Sequence, residues 1–162
     1  MTVMNETITV LRVPTGLPVP PAMQQAENRL LSRFSELPTA DNLQKAVNNQ
    51  NTILLVAISG SVPATPEDWQ DIPTESYAGT LTLLLLQTPW KTIAHIEEVI
   101  VDEGHEGKGV GRQLMQKAIE IGRENDVETF DLTSSPNKVA AQALYEKTGF
   151  KKRETNNWRY EG

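Results

Sequence analysis

No cysteine occurs in the 162 residues, which excludes disulfides, thiolate metal sites and a cysteine nucleophile together. Histidine is nearly as scarce. With only His95 and His105 available, a multi-histidine cage is not expected and no metal is assigned. Long apolar runs are missing too: the greasiest stretch, LTLLLLQ from Leu81 to Gln87, is strand-sized against the ~20 residues of a membrane-spanning helix. No membrane partner is therefore expected. The opening MTVMNETITVLRV has no basic segment followed by an apolar one, so it does not read as a secretory leader, and a cytoplasmic location is expected. Basic residues are in the minority, 15 against 21 acidic ones, for a formal charge of −6. That is a poor match to nucleic acid. A G-x-S-x-G elbow is absent as well, which leaves serine hydrolase chemistry without support.

What is there reads as one domain over residues 1–162, long enough to bury a sizeable core. ETITVLRV (Glu6–Val13) alternates as a first strand. Ala26, Leu30, Phe34 and Leu37 at helical spacing predict a helix within Pro20–Leu37, and Asp41 is placed to cap a short one reaching Val47. Thr52–Ser59 reads as a buried strand. The punctuated stretch Gly60–Gly79 reads either as a solvated excursion or as a lid or substrate wall carrying Trp69 and Tyr77. Thr80–Gln87 and Thr92–Val101 are strands joined by a tight turn. Val110, Leu114, Ala118 and Ile121 then form one stripe of a helix ending near Asn125. A strand over Glu128–Ser134 follows, and then a helix capped by Ser135, with Pro136 at its first position and Gly149 as its stop. Val139, Ala140, Ala143 and Leu144 are its expected apolar stripe. One or two final strands are expected in FKKRETNNWRY. The order is mixed α/β: an antiparallel first half, then a βαβ unit.

The densest signal is GHEGKGVGRQL, Gly104 to Leu114. A strand feeding a glycine-rich turn into a helix N-terminus points backbone N–H groups at an anion, and the helix dipole favours negative charge there. A Walker A loop fails twice, because Gly109 follows Lys108 and Asp102 stands at the first glycine position. A dinucleotide fingerprint fails because Leu114 stands at its third glycine. The run VDEGHEGKGVGRQLM resembles instead the pyrophosphate loop of the GNAT superfamily of acetyl-CoA-dependent N-acetyltransferases. Val101 ends the strand and Gly109-Val110-Gly111 supplies the G-x-G, while Glu106 stands where the family has Arg or Gln. Downstream, LTSSPNKVAAQALYEKTGF is similar to the family's N-x-x-A-x-x-L-Y and G-F elements. Ala141, Leu144, Tyr145, Gly149 and Phe150 are in place, Asn137 comes one residue early, and Lys138 occupies its slot.

The resemblance, strongest from Gly79 to Phe150, implies a GNAT-like fold: a mostly antiparallel twisted sheet of six to seven strands with about four helices, splayed between the fourth and fifth strands. It implies acetyl-CoA as cosubstrate. The backbone of Val99, Ile100 and Val101 would hold the pantetheine arm. Gly107, Lys108, Gly109, Val110, Gly111 and Arg112 would hold the pyrophosphate, with Asn137 as a further contact. It also implies Tyr145 as the acid for the leaving thiolate and Glu97 as general base. Period-two alternation puts His95, Glu97, Val99 and Val101 on one strand face and Ile96, Glu98 and Ile100 on the other. His95 is thus able to replace or assist Glu97, and the competing reading pairs Glu97 with a cation on a neighbouring strand. His105 reads as a solvated loop residue. The acceptor would be an amine of a small molecule, peptide or protein, and the chain a monomer or homodimer. The alternative function is an acetyl-CoA binding or sensing module without turnover.

Overall fold

A computed structural model describes residues 6–34 and 36–162; the first five residues of the opening stretch, and Ser35 within the expected first helix, lie outside them. Five strands form one sheet in chain order: β1 (Ile8–Arg12), β2 (Thr52–Ser59), β3 (Tyr77–Gln87), β4 (Thr92–Val101) and β5 (Val127–Leu132). All neighbours are antiparallel except β4 and β5, which pair in parallel through the crossover helix α3 (Val110–Glu124). Helices α1 (Pro21–Leu30) and α2 (Ala40–Asn48) precede β2, and α4 (Val139–Lys147) follows β5.

The sheet is covered on both faces. Every residue of β2 is buried, as expected of an apolar run sandwiched between helices. Leu54, Val56 and Ile58 face Met23, Ala26, Leu43 and Val47 of α1 and α2. Ile53, Leu55 and Ala57 face Val110, Leu114, Met115 and Ala118 of α3. The α3 stripe read from the sequence is therefore the seam that closes the second core. At Gly122 α3 packs directly on β5: a Cβ there would overlap the Phe130 ring. Gly122→Ala is expected to cost about 1–3 kcal/mol through displacement of that ring. An unchanged denaturant midpoint would contradict that packing.

Several expectations change. The sheet has five strands among the described residues, not six to seven: Lys151–Gly162 forms neither strand nor helix, and Trp158 and Tyr160 are 91% and 93% exposed. Those two aromatics are the only large apolar side chains behind the charged run Lys151–Glu154, too few to anchor the segment on the sheet. Helix α1 ends at Leu30 and continues as a 3-10 turn over Leu31–Arg33, leaving Phe34 and Leu37 exposed. Thr39, not Asp41, caps α2 by accepting from the Asn42 N–H at 3.1 Å; Asp41 instead pairs with Lys45 one turn on. Residues 135–138 form a turn closed by Lys138 N to Ser135 O at 3.0 Å, so α4 starts at Val139 rather than at Pro136. Val139 and Ala140 are exposed, and only the Ala143–Leu144 part of the expected stripe turns inward. The Gly60–Gly79 stretch coils into two 3-10 turns, and its Trp69 and Tyr77 are buried against α1 and α2 as core.

Candidate active site

Two breaks in the sheet meet at β4. On the β5 side, parallel pairing runs from Thr92–Val127 to Ile96–Leu132 and stops there. The β4 backbone from Glu97 to Val101 therefore has no strand beside it on that edge, and its polar groups face the gap. On the β3 side, Thr80 is opposite Ile100 but Thr82 is opposite Glu97. Glu98 and Val99 thus face the single residue Leu81, a β-bulge with Glu98 in the left-handed region at φ +54°. A non-glycine residue held there stores about 1–3 kcal/mol, a strain that clusters at functional sites. The extra residue also switches the alternation. Ala94 and Ile96 share the α3-side core with Val99 and Val101, whereas Ile100 packs on Leu30 and Leu31 near α1. The expected common face of Glu97 and Val99 is therefore broken between them.

Beyond Val101 the glycine loop leads into α3. Asp102 clamps its entry: Oδ1 is 3.0 Å from Arg29, and Oδ2 is 3.0 Å from His105 Nδ1 and accepts from the Gly104 N–H. His105 is accordingly tucked in rather than solvated. Gly107 and Gly109 have φ of +73° and +79°, with nothing within 4 Å of where a Cβ would sit. Gly109 is the N-cap of α3 and has no side chain to bond the first N–H groups, which leaves them for an anion in the open space in front. The cradle thus fits a pyrophosphate. Lys108 and Arg112 are exposed beside it, and Val110 is buried in the core, able to offer only its backbone. Gly111 differs from its neighbours, because a Cβ there would lie 2.9 Å from Leu144 of α4. It is a packing glycine. Glu106 is drawn aside to Arg33, at 3.3 Å.

Asn137 lies exposed in the turn before α4, and Lys138 places its ammonium 5.6 Å from the Phe34 ring centre. Tyr145 is half-buried beside Leu144 and Phe150, the two rings tilted 59° with centres 6.4 Å apart. Burial raises its pKa, and the charge of Glu97 raises it further, which places that carboxylate within electrostatic reach of the phenol. Among the described residues Glu97 has no cation partner on a neighbouring strand; its partner is His95, Nε2 to Oε1 at 3.0 Å. The structure thus brings His95, Glu97 and Tyr145 to the point where β4 and β5 part.

Sequence reading missed Glu27. It stands on the inner face of α1, 1% exposed, with Oε1 lacking any hydrogen-bond partner. Burial pushes its pKa up to about 7; the Thr80 hydroxyl pulls it back and the charge of Glu98 adds to the rise. The Tyr77 hydroxyl, also buried and unpartnered, is raised by burial and by Glu27. A glutamate on a helix face mostly apolar by spacing (Met23, Ala26, Leu30) was the available signal.

The profile of the acetyltransferase (GNAT) family matches residues 59–150, which contain β3, β4, the loop, α3, β5 and α4. A mycothiol acetyltransferase of Beutenbergia cavernae is 33% identical over 70 residues, 43% of this chain and 24% of that protein. A glucosamine 6-phosphate N-acetyltransferase of Trypanosoma brucei brucei is 31% identical over 85 residues, 51% of this chain and 56% of that one. The chain therefore covers from 24% to 56% of the length of these relatives. An aminoglycoside acetyltransferase from an uncultured soil metagenomic sample, solved with trehalose, superposes with a TM-score of 0.74 over 95% of both chains at 18% identity. That likeness establishes the fold.

Proposed function

The chain belongs to the acetyltransferase (GNAT) family, and we propose that it moves an acetyl group from acetyl-CoA to a primary amine by direct attack. The observation that carries this reading is the open β4 edge, Glu97 to Val101, lying next to an uncapped helix behind left-handed glycines. A thioester arm fits along the first and a pyrophosphate on the second. Acetyl-CoA supplies the activated acetyl group. Backbone groups of Val99, Ile100 and Val101 align its arm, and the backbone N–H groups of that edge receive the charge that develops on the carbonyl oxygen. N–H groups of Gly107 to Arg112 hold the pyrophosphate, with Lys108 and Arg112 adding positive charge and Asn137 at the rim.

An alkyl ammonium with a lysine-like pKa of about 10 cannot attack. Glu97, steadied by His95, takes one of its protons, and the freed nitrogen pair bonds to the carbonyl carbon. As the C–S bond breaks the second proton passes to solvent water, from which the Tyr145 phenol is afterwards restored. The sulfur keeps the bonding pair and takes the proton of Tyr145 Oη. A phenol whose pKa lies above its ordinary value stays protonated at neutral pH until that sulfur becomes basic.

Gly109→Glu tests the reading. The left-handed backbone and the added charge should weaken coenzyme A binding by at least about tenfold while the protein stays folded, because no atom stands within 4 Å of the new Cβ. Gly111→Glu is a poor probe, since it strikes Leu144. Unchanged coenzyme A affinity by calorimetry would remove the loop assignment. Tight coenzyme A binding by the wild type with no thioester consumption across an amine panel would favour a binding module.

A further inference from the structure

From Asp102 to Arg112 three carboxylates, Asp102, Glu103 and Glu106, stand against two cations, Lys108 and Arg112. A turn shaped to hold a pyrophosphate thus carries, by its own residues, an excess of the charge that repels one. The balance is corrected from α1 and the turn that extends it. Arg29 Nη1 lies 3.0 Å from Asp102 Oδ1. Arg33, four residues on and the last of the 3-10 turn, places Nη2 3.3 Å from Glu106 Oε1 and 3.5 Å from Glu103 Oε1. With these two arginines counted, four cations face the three carboxylates.

Packing fixes where Arg33 stands. Leu31 of the same turn is buried with Leu30 against Ile100 on β4, and the Phe34 ring lies 5.6 Å from the Lys138 ammonium in the turn before α4. The short segment Leu31–Phe34 therefore touches β4, the glycine loop and the approach to α4 together. Stability does not explain the ion pair: Arg33 and Glu106 are 51% and 58% exposed, a setting in which such pairs add little. Glu106 directly precedes the left-handed Gly107, whose surroundings are open. A carboxylate released at that position competes, as an anion tethered to the loop, for the N–H groups in front of α3.

We propose that Arg33 is a positioning residue that sets the coenzyme A affinity of this chain: it holds Glu106 aside and offsets its charge, so that the loop N–H groups are left to the pyrophosphate. This rests on the reading of the glycine loop as the pyrophosphate site. Arg33 acts through Glu106 and does not itself touch the ligand. Arg29 is a poor probe of the same idea, because it also bonds the carbonyls of Thr74 and Tyr77 and its loss disturbs the packing of α1 on the sheet.

Coenzyme A is titrated calorimetrically into the full chain and its variants. Arg33→Gln should bind it about three- to tenfold more weakly at low salt, and the loss should shrink at about 0.5 M salt, where exposed charges are screened within a few ångströms. Arg33→Lys keeps the charge and should stay near the wild type. Adding Glu106→Gln to Arg33→Gln should recover most of the affinity, whereas Glu106→Gln alone should change it by less than about twofold, since Arg33 already offsets that carboxylate. Thermal midpoints should remain close to the wild type throughout. Three results would each overturn the proposal: unchanged affinity in Arg33→Gln, a loss equal at both salt levels, or a loss that Glu106→Gln leaves unrestored. The last would mean that Arg33 meets the ligand directly. A wild type without coenzyme A affinity removes the pyrophosphate reading and the proposal with it; a wild type that binds, beside an indifferent Arg33→Gln, sinks the proposal alone.

Discussion

Tyr145→Phe should lower kcat by about 10²–10⁴ while leaving acetyl-CoA affinity close to that of the wild type. The substitution removes one hydroxyl and keeps the ring that packs on Leu144 and Phe150. The proton it carried matters only as the C–S bond breaks, so the loss should fall on kcat and on kcat/KM together. The phenol is half-buried and already shifted toward its protonated form, which suits a donor and not a nucleophile. A structural Tyr145 would give the reverse pattern, with near-normal turnover and any loss in thermal midpoint. Measuring kcat, coenzyme A affinity and melting on one preparation separates the two, and a fully active variant would remove Tyr145 from the mechanism.

The second large effect is on stability and its pH dependence. Glu27 has a pKa near 7 in the fold against 4.5 for the ordinary group. Below 4.5 both folded and unfolded chains hold the proton and the group is neutral to folding. As pH rises from 4.5 to about 7 the unfolded chain releases the proton first, so stability falls through this window and stays lower above it. A shift of this size corresponds to about 3 kcal/mol. Glu27→Gln should therefore gain stability over the wild type as pH rises, the difference widening by about 3 kcal/mol between pH 4.5 and 8. Denaturant melts at the two pH values measure it. A stability difference independent of pH would mean that the carboxyl is ionised and satisfied in the folded protein.

Legibility in the sequence followed the range of the interactions. The glycine loop was readable because a left-handed turn and an uncapped helix start are written in adjacent residues: Gly107, Gly109 and the stripe beginning at Val110. The same holds for β2, whose eight apolar-rich positions announce burial on both faces, and for Gly149, which ends α4 at φ +96°. Misreadings arose where a local pattern had no tertiary partner. Val139 and Ala140 carry helical spacing but face solvent, and Trp158 and Tyr160 alternate like a strand without joining one.

By itself, then, the sequence determined the order of elements as far as α4, the glycine loop and the tyrosine helix after it, since backbone preference and periodicity act over a few residues. Only the tertiary structure decided the acid chemistry at β4. The bulge at Glu98 exists because β3 and β4 pair out of step across it, and that mismatch sets which side chains share a face. Glu27 feels the charge of Glu98 across some seventy positions of chain because α1 packs on the sheet, and its raised pKa comes first from the burial that packing provides. No local pattern encodes such a meeting: desolvation and charge act through space, and the space is defined only once the sheet and its helices have closed on one another.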